Sequence, residues 1–238
     1  MVSASDILIA AVAFGPMILL LYYTLRDYTH PRVEKPFFDD RKLFAFLTLG
    51  IVLGTVFFFI DMTAGSYSDL SMIVLIGAVI PILQGLIKLA ILNWTKFQRK
   101  VDTAFYGLSL GLGLSATYAF SKMFVALMDQ TADFSSIALV VMMGLQIILI
   151  QGSTTAMIGV GCARGHPWTY FAYSMIYALA YSYLLYGLAV VAETGWAVAV
   201  VVFMMWVLCA YTYWHVYRID LPNLIDDAKR GLRYPTKK

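Results

Sequence analysis

Residues 106–120 read YGLSLGLGLSATYAF, a row of small side chains inside an apolar run. Gly107 and Gly111 stand four apart, Ser115 continues the same helical face, and Gly113 adds a second bare spot beside it. In lipid a helix gains nothing by burying Leu against Leu, so helices associate where small residues let backbones approach closely. The stripe therefore predicts a central helix with neighbours packed against it.

The chain around this stretch is 238 residues long, 61% hydrophobic and only 13% charged, which excludes an ordinary soluble domain. About 20 consecutive apolar residues span the hydrocarbon core as a helix. Seven such runs fall at residues 7–25, 43–61, 71–93, 104–128, 136–161, 168–191 and 196–217, and the glycine stripe lies in the fourth. The first run has no basic residue ahead of it and is too long for a cleaved signal peptide. The expected fold class is thus all-α, a polytopic bundle of seven transmembrane helices over residues 1–221, followed by a basic tail at 222–238.

Basic residues orient it. Arg26, Arg32, Lys35, Arg41 and Lys42 follow the first run; Lys96, Arg99 and Lys100 follow the third; Arg164 follows the fifth; Arg218, Lys229, Arg230, Arg233, Lys237 and Lys238 fill the tail. The N-terminus and the loops at 62–70, 129–135 and 192–195 hold none. The positive-inside rule then puts the N-terminus outside and the C-terminus in the cytoplasm. On this reading the net charge of +3 belongs to a cytoplasmic edge, and no nucleic-acid partner is implied. Membrane lipids and other integral membrane subunits are the expected partners.

Polar letters inside the runs are few. Pro16 in the first and Pro81 in the third predict kinks. Gly50 and Gly54 give the second run its own small-residue stripe. Gln84 and Lys88 stand four apart on one face of the third helix, and Lys88 is placed to snorkel towards the cytoplasmic interface. The fifth run carries Gln146, Gln151, Ser153, Thr154 and Thr155, whose amides and hydroxyls need interhelical partners. Tyr170, Tyr173, Tyr177 and Tyr181 line the sixth at helical spacing, with Ser174, Ala178 and Ser182 on another face. From Pro222 the tail is compatible with a short interfacial helix.

Some chemistries lack their residues. Asp6, Asp61, Asp69, Asp102 and Glu193 all sit near run ends, and His30, His166 and His215 lie on the cytoplasmic side. No converging metal ligands and no midplane proton relay are visible, so neither a metal nor another cofactor is expected. Cys162 and Cys209 offer no disulfide framework. A microbial rhodopsin needs a Schiff-base lysine in its seventh helix, and residues 196–217 contain none. A sugar transporter built from repeats would show matched prolines in two halves, which Pro16 and Pro81 do not provide.

The Pro16 helix, the loop YYTLRDYTHPRVEKP, DTAFYGLSLGLG in the fourth run and TAMIGVG in the fifth together resemble the superfamily of intramembrane glutamic or metal-dependent CAAX-type proteases, especially its PrsW branch. The resemblance spans roughly residues 12–165. It implies paired glutamates and a lysine in the third helix, a pattern that falls here on Gln84, Gly85 and Lys88. It further implies a glutamate near Tyr118 and a histidine at Gln151. The lysine survives, and every position implied to carry the chemistry is changed. An amide hydrogen-bonds, but it cannot be the general base that activates a water. AFGPMILL, Leu83–Gln84 and GLSLG at 107–111 are also similar to the anterior-pharynx-defective (APH) subunit of γ-secretase, a non-catalytic member of that superfamily with seven helices and an outside N-terminus. The resemblance implies a non-catalytic scaffold or stabilising subunit, with Gln84, Lys88 and Gln151 as a polar cluster at a former active site. The alternatives are an active intramembrane protease with a rearranged site and a lipid or small-molecule carrier.

Overall fold

The computed structural model describes residues 4–29, 37–64, 70–128, 134–191 and 194–230. Most of the first interhelical loop, with His30, Arg32 and Lys35, and the end of the tail, with Arg233, Lys237 and Lys238, lie outside them. Among the described residues there is no strand. The helices are α1 (Ala4–Leu25), α2 (Asp40–Ala64), α3 (Leu70–Leu92), α4 (Asp102–Met128), α5 (Phe134–Arg164), α6 (Pro167–Val191) and α7 (Gly195–His215). A π-helical turn, Val216–Asp220, joins α7 to α8 (Leu221–Lys229).

Five of these helices, α2, α3, α4, α5 and α7 with its extension, are long and apolar enough to cross a membrane. In α1 the described apolar stretch, Ile9–Leu25, is shorter, and tyrosines and serines dilute α6. Both prolines sit inside unbroken helices, Pro16 in α1 and Pro81 in α3.

Glycine contacts give the register. A Cβ on Gly50 or Gly54 of α2 would overlap the carbonyls of Leu110 and Leu114, and one on Gly113 of α4 would overlap the Leu47 carbonyl. Residue numbers rise together across this seam, so α2 and α4 run parallel. Ser109 and Thr117 extend it, donating to the Leu43 carbonyl at 2.7 Å and the Ile51 carbonyl at 3.0 Å. On another face of α4 a Cβ at Gly107 would come within 2.8 Å of the Thr155 carbonyl, and one at Gly111 within 2.7 Å of the Gln151 carbonyl. Gly159 answers from α5, where a Cβ would lie 2.7 Å from the Thr103 carbonyl. Here the numbers run in opposition, so α4 and α5 are antiparallel. Close backbone approach of this kind substitutes for hydrophobic driving force inside lipid. Thr103 to Ala116 is buried at every position, and the Ser115 hydroxyl is satisfied within its own helix by the Leu112 carbonyl at 2.8 Å.

The other helices surround this pair. α3 packs antiparallel on α6, and α1 lies along α4 and α5. Apart from Lys88 and Lys122, the described basic residues gather at one end, here called the basic end. There Asp39 starts α2: its carboxylate accepts the Arg41 N–H at 3.0 Å, and that bond holds its carboxyl below the usual range. The Asp39 N–H donates to the Tyr106 hydroxyl at 3.2 Å, which ties the loop to α4. Arg99, in the left-handed backbone region, donates its N–H to the Cys162 carbonyl at 3.0 Å and fastens the α3–α4 turn to the end of α5.

Helical structure continues across residues 221 and 222 without a break. Leu221, Leu224 and Ile225 are buried, so the apolar face of α8 rests on the bundle. His215 and Asp220, 3.3 Å apart, clasp the π turn between them.

Candidate functional site

The site grows from the i, i+4 spacing on α3. Gln84 and Lys88 point from that helix to Gln151 of α5 and are each 3% exposed. The Lys88 ammonium donates to Gln151 Oε1, and Gln151 Nε2 donates to Gln84 Oε1 at 2.8 Å. Lys88 therefore does not snorkel: an amide in the interior receives it before the interface does. The Gln151 backbone is engaged as well, since its carbonyl accepts the Thr155 hydroxyl at 2.6 Å. That same carbonyl fills the notch left by Gly111, so the polar chain is seated on the glycine face of α4.

Gly85 stands elsewhere. A side chain there would press into Met175 and Phe171 of α6, with the Met175 sulfur at 2.8 Å. The position at which the family resemblance implies a carboxylate is thus a close-packing contact between α3 and α6.

Tyr118 also leaves the amide chain and belongs to a second cluster, at the end opposite the basic one. Its hydroxyl donates to Asp61 Oδ2 at 2.7 Å, the Tyr186 hydroxyl donates to Asp61 Oδ1 at 3.0 Å, and Lys122 forms an ion pair with the same carboxylate. Asp61 is 1% exposed. One carboxylate at the end of α2 so gathers α4 and α6. Sequence reading placed Asp61 merely near a surface. The available signal was Lys122, a lone cation at the same end of α4.

A chamber lies between the two clusters. Gln84 and Gln151 line one end of it and Tyr118 and Tyr186 the other; Thr154 and Ser182 add hydroxyls, and Ile80, Pro81, Ile147, Ile150 and Leu185 supply apolar wall. Its volume for water centres is about 40 Å³, room for roughly two or three waters. Of the α6 residues singled out from sequence, Ala178, Tyr181 and Ser182 line it. Tyr170 instead meets Arg164, Tyr173 is exposed, and Tyr177 packs against Tyr211.

A third polar group sits at the α5–α7 seam. Gln146 donates to the Val202 carbonyl at 3.4 Å, while its Oε1 and the buried Tyr181 hydroxyl have no hydrogen-bond partner among the described residues. Among the described residues, too, no three His, Cys, Asp or Glu side chains converge as a metal centre.

The chain matches no protein-family model, no curated protein and no solved structure. The likeness to the CAAX/PrsW superfamily and to the APH subunit rests on the short motifs alone, and any functional reading has to be carried by geometry.

Proposed function

We propose that this is a seven-span membrane protein, with its N-terminus outside and its C-terminus in the cytoplasm, acting as a non-catalytic scaffold or stabilising subunit of a membrane complex. The observation that carries the reading is the double engagement of the Gln151 amide, which accepts from Lys88 and donates to Gln84. Groups poised for catalysis keep a lone pair or a proton for substrate. Here the positions that would have to act are spent on one another, joining α3 to α5. Such a chain locks helices together, and interhelical hydrogen bonds in membranes contribute about 0.6–2 kcal/mol each.

The orientation is supported by the basic end, where Arg26, Arg41, Lys42, Lys96, Arg99, Lys100, Arg164 and Arg218 gather. A pseudoprotease ancestry accounts for the retained lysine beside replaced carboxylates. Affinity purification from native membranes in mild detergent, followed by mass spectrometry, tests the reading. A stoichiometric integral membrane partner is expected. Recovery as a lone monomer, with no partner enriched over an unrelated membrane protein, overturns it.

A further inference from the structure

Two cavities share a wall at the Asp61 end of the bundle. One is the chamber between the two clusters. The other is a groove of about 260 Å³ between α4, α5 and α6, lined by Lys122, Met123, Val140 and Met143 among others. Ile147, Leu185 and Tyr186 line both. The Tyr186 ring, pinned through its hydroxyl to Asp61, therefore stands where groove meets chamber.

We propose that the chamber is a hydrated binding site for water-sized neutral hydrogen-bonding molecules, reached through this groove from the Asp61 end. Three observations support it. First, two amides and five hydroxyl-bearing side chains line a space of about 40 Å³. Apolar atoms make up most of the wall, and the buried Tyr181 hydroxyl, which has no hydrogen-bond partner among the described residues, is the group that a water in this space would satisfy. Second, no unmatched charge faces the space. Asp61 is satisfied by Tyr118, Tyr186 and Lys122, and the Lys88 ammonium is turned into Gln151 and is not part of the lining. An ion would lose its hydration shell there and gain no opposite charge. Third, the groove meets the chamber at Ile147, Leu185 and Tyr186, beyond the stretch of α4 from Thr103 to Ala116 that is buried at every position. This site is independent of the scaffold reading and stands whether or not a partner is found.

Cysteine accessibility tests it, because a thiol must ionise in water before it reacts. Ser182→Cys places a thiol on the chamber wall, and Ala178→Cys is the second variant should the first fail to fold. Each is reconstituted in liposomes and treated with methyl methanethiosulfonate, a small neutral reagent, or its anionic sulfonatoethyl analogue. The parent chain, whose Cys162 and Cys209 are buried, sets the background. Modification by the neutral reagent is expected to be about tenfold faster than in the parent, with no such gain for the anion. A rate equal to the parent's in a folded variant overturns the hydrated site, and equal gain for the anion overturns the neutral class. Adding Met143→Trp, which obstructs the groove, is expected to slow the reaction. An unchanged rate overturns the route.

Discussion

Gln151 is held on both sides of its amide, and its own carbonyl is held by Thr155. Replacing it by leucine strands the Lys88 ammonium and the Gln84 carbonyl in hydrocarbon. Gln151→Leu is therefore expected to cost about 1–3 kcal/mol, read as a lower melting temperature in detergent. Lys88→Met in that background should recover part of the loss; no change in melting temperature for Gln151→Leu sinks the clasp. Asp61→Asn removes the charge that Tyr118, Tyr186 and Lys122 share, and a loss of about 1–3 kcal/mol is expected in the same assay. If Asp61→Asn melts with the parent, the carboxylate is not what joins the three helices. At this scale the sequence was partly readable. Gln84, Lys88 and Gln151 stand out as polar letters in apolar runs, but the burial of Lys88 depends on an amide 63 residues away reaching it before water does. Asp61 reads from the sequence as an interfacial residue near the end of a run, because its partners Tyr118 and Tyr186 lie 57 and 125 residues away.

Among elements, α4 is pinned on two faces by backbone contact. Gly113→Ala would drive a methyl into the Leu47 carbonyl of α2, where neither backbone has room to withdraw. A loss of about 1–3 kcal/mol is expected, against the gain of about 1 kcal/mol that alanine brings to a free helix. Gly187→Ala supplies the comparison, since nothing lies within 4 Å of its added methyl; it should melt at or slightly above the parent temperature. Equal melting of the two variants would show that the glycine seam carries no weight. The spacing of Gly107, Gly111 and Gly113 was legible in the sequence. Which neighbour takes which face was not, because α2 and α5 both present small residues and carbonyls. The continuation of α7 through a π turn into α8 was hidden for a similar reason: Pro222 reads as a break, yet it directly follows the π turn Val216–Asp220 and helical backbone runs on through it.

Over the whole molecule, the seven apolar runs and the seven long helices agree to within a few residues at each described boundary, and five of those helices are long and apolar enough to cross a membrane. Orientation rests on the basic end, and it predicts that a protease added outside sealed cells will cleave an N-terminal tag and spare a C-terminal one. The reverse pattern would invert every statement about sides. The burial of α4 has a further consequence, for biogenesis. Among the five spans that are apolar enough to cross, α4 is the least hydrophobic, because its surface is built for protein contact. On leaving the ribosome it has the weakest drive of the five to partition from the translocon into lipid. Its parallel neighbour α2 is synthesised earlier and can wait in the bilayer with Gly50 and Gly54 uncovered. If α4 is recruited by this surface, a chain whose α2 glycines are made large should release α4 to the wrong side of the membrane before any folded bundle exists to be destabilised.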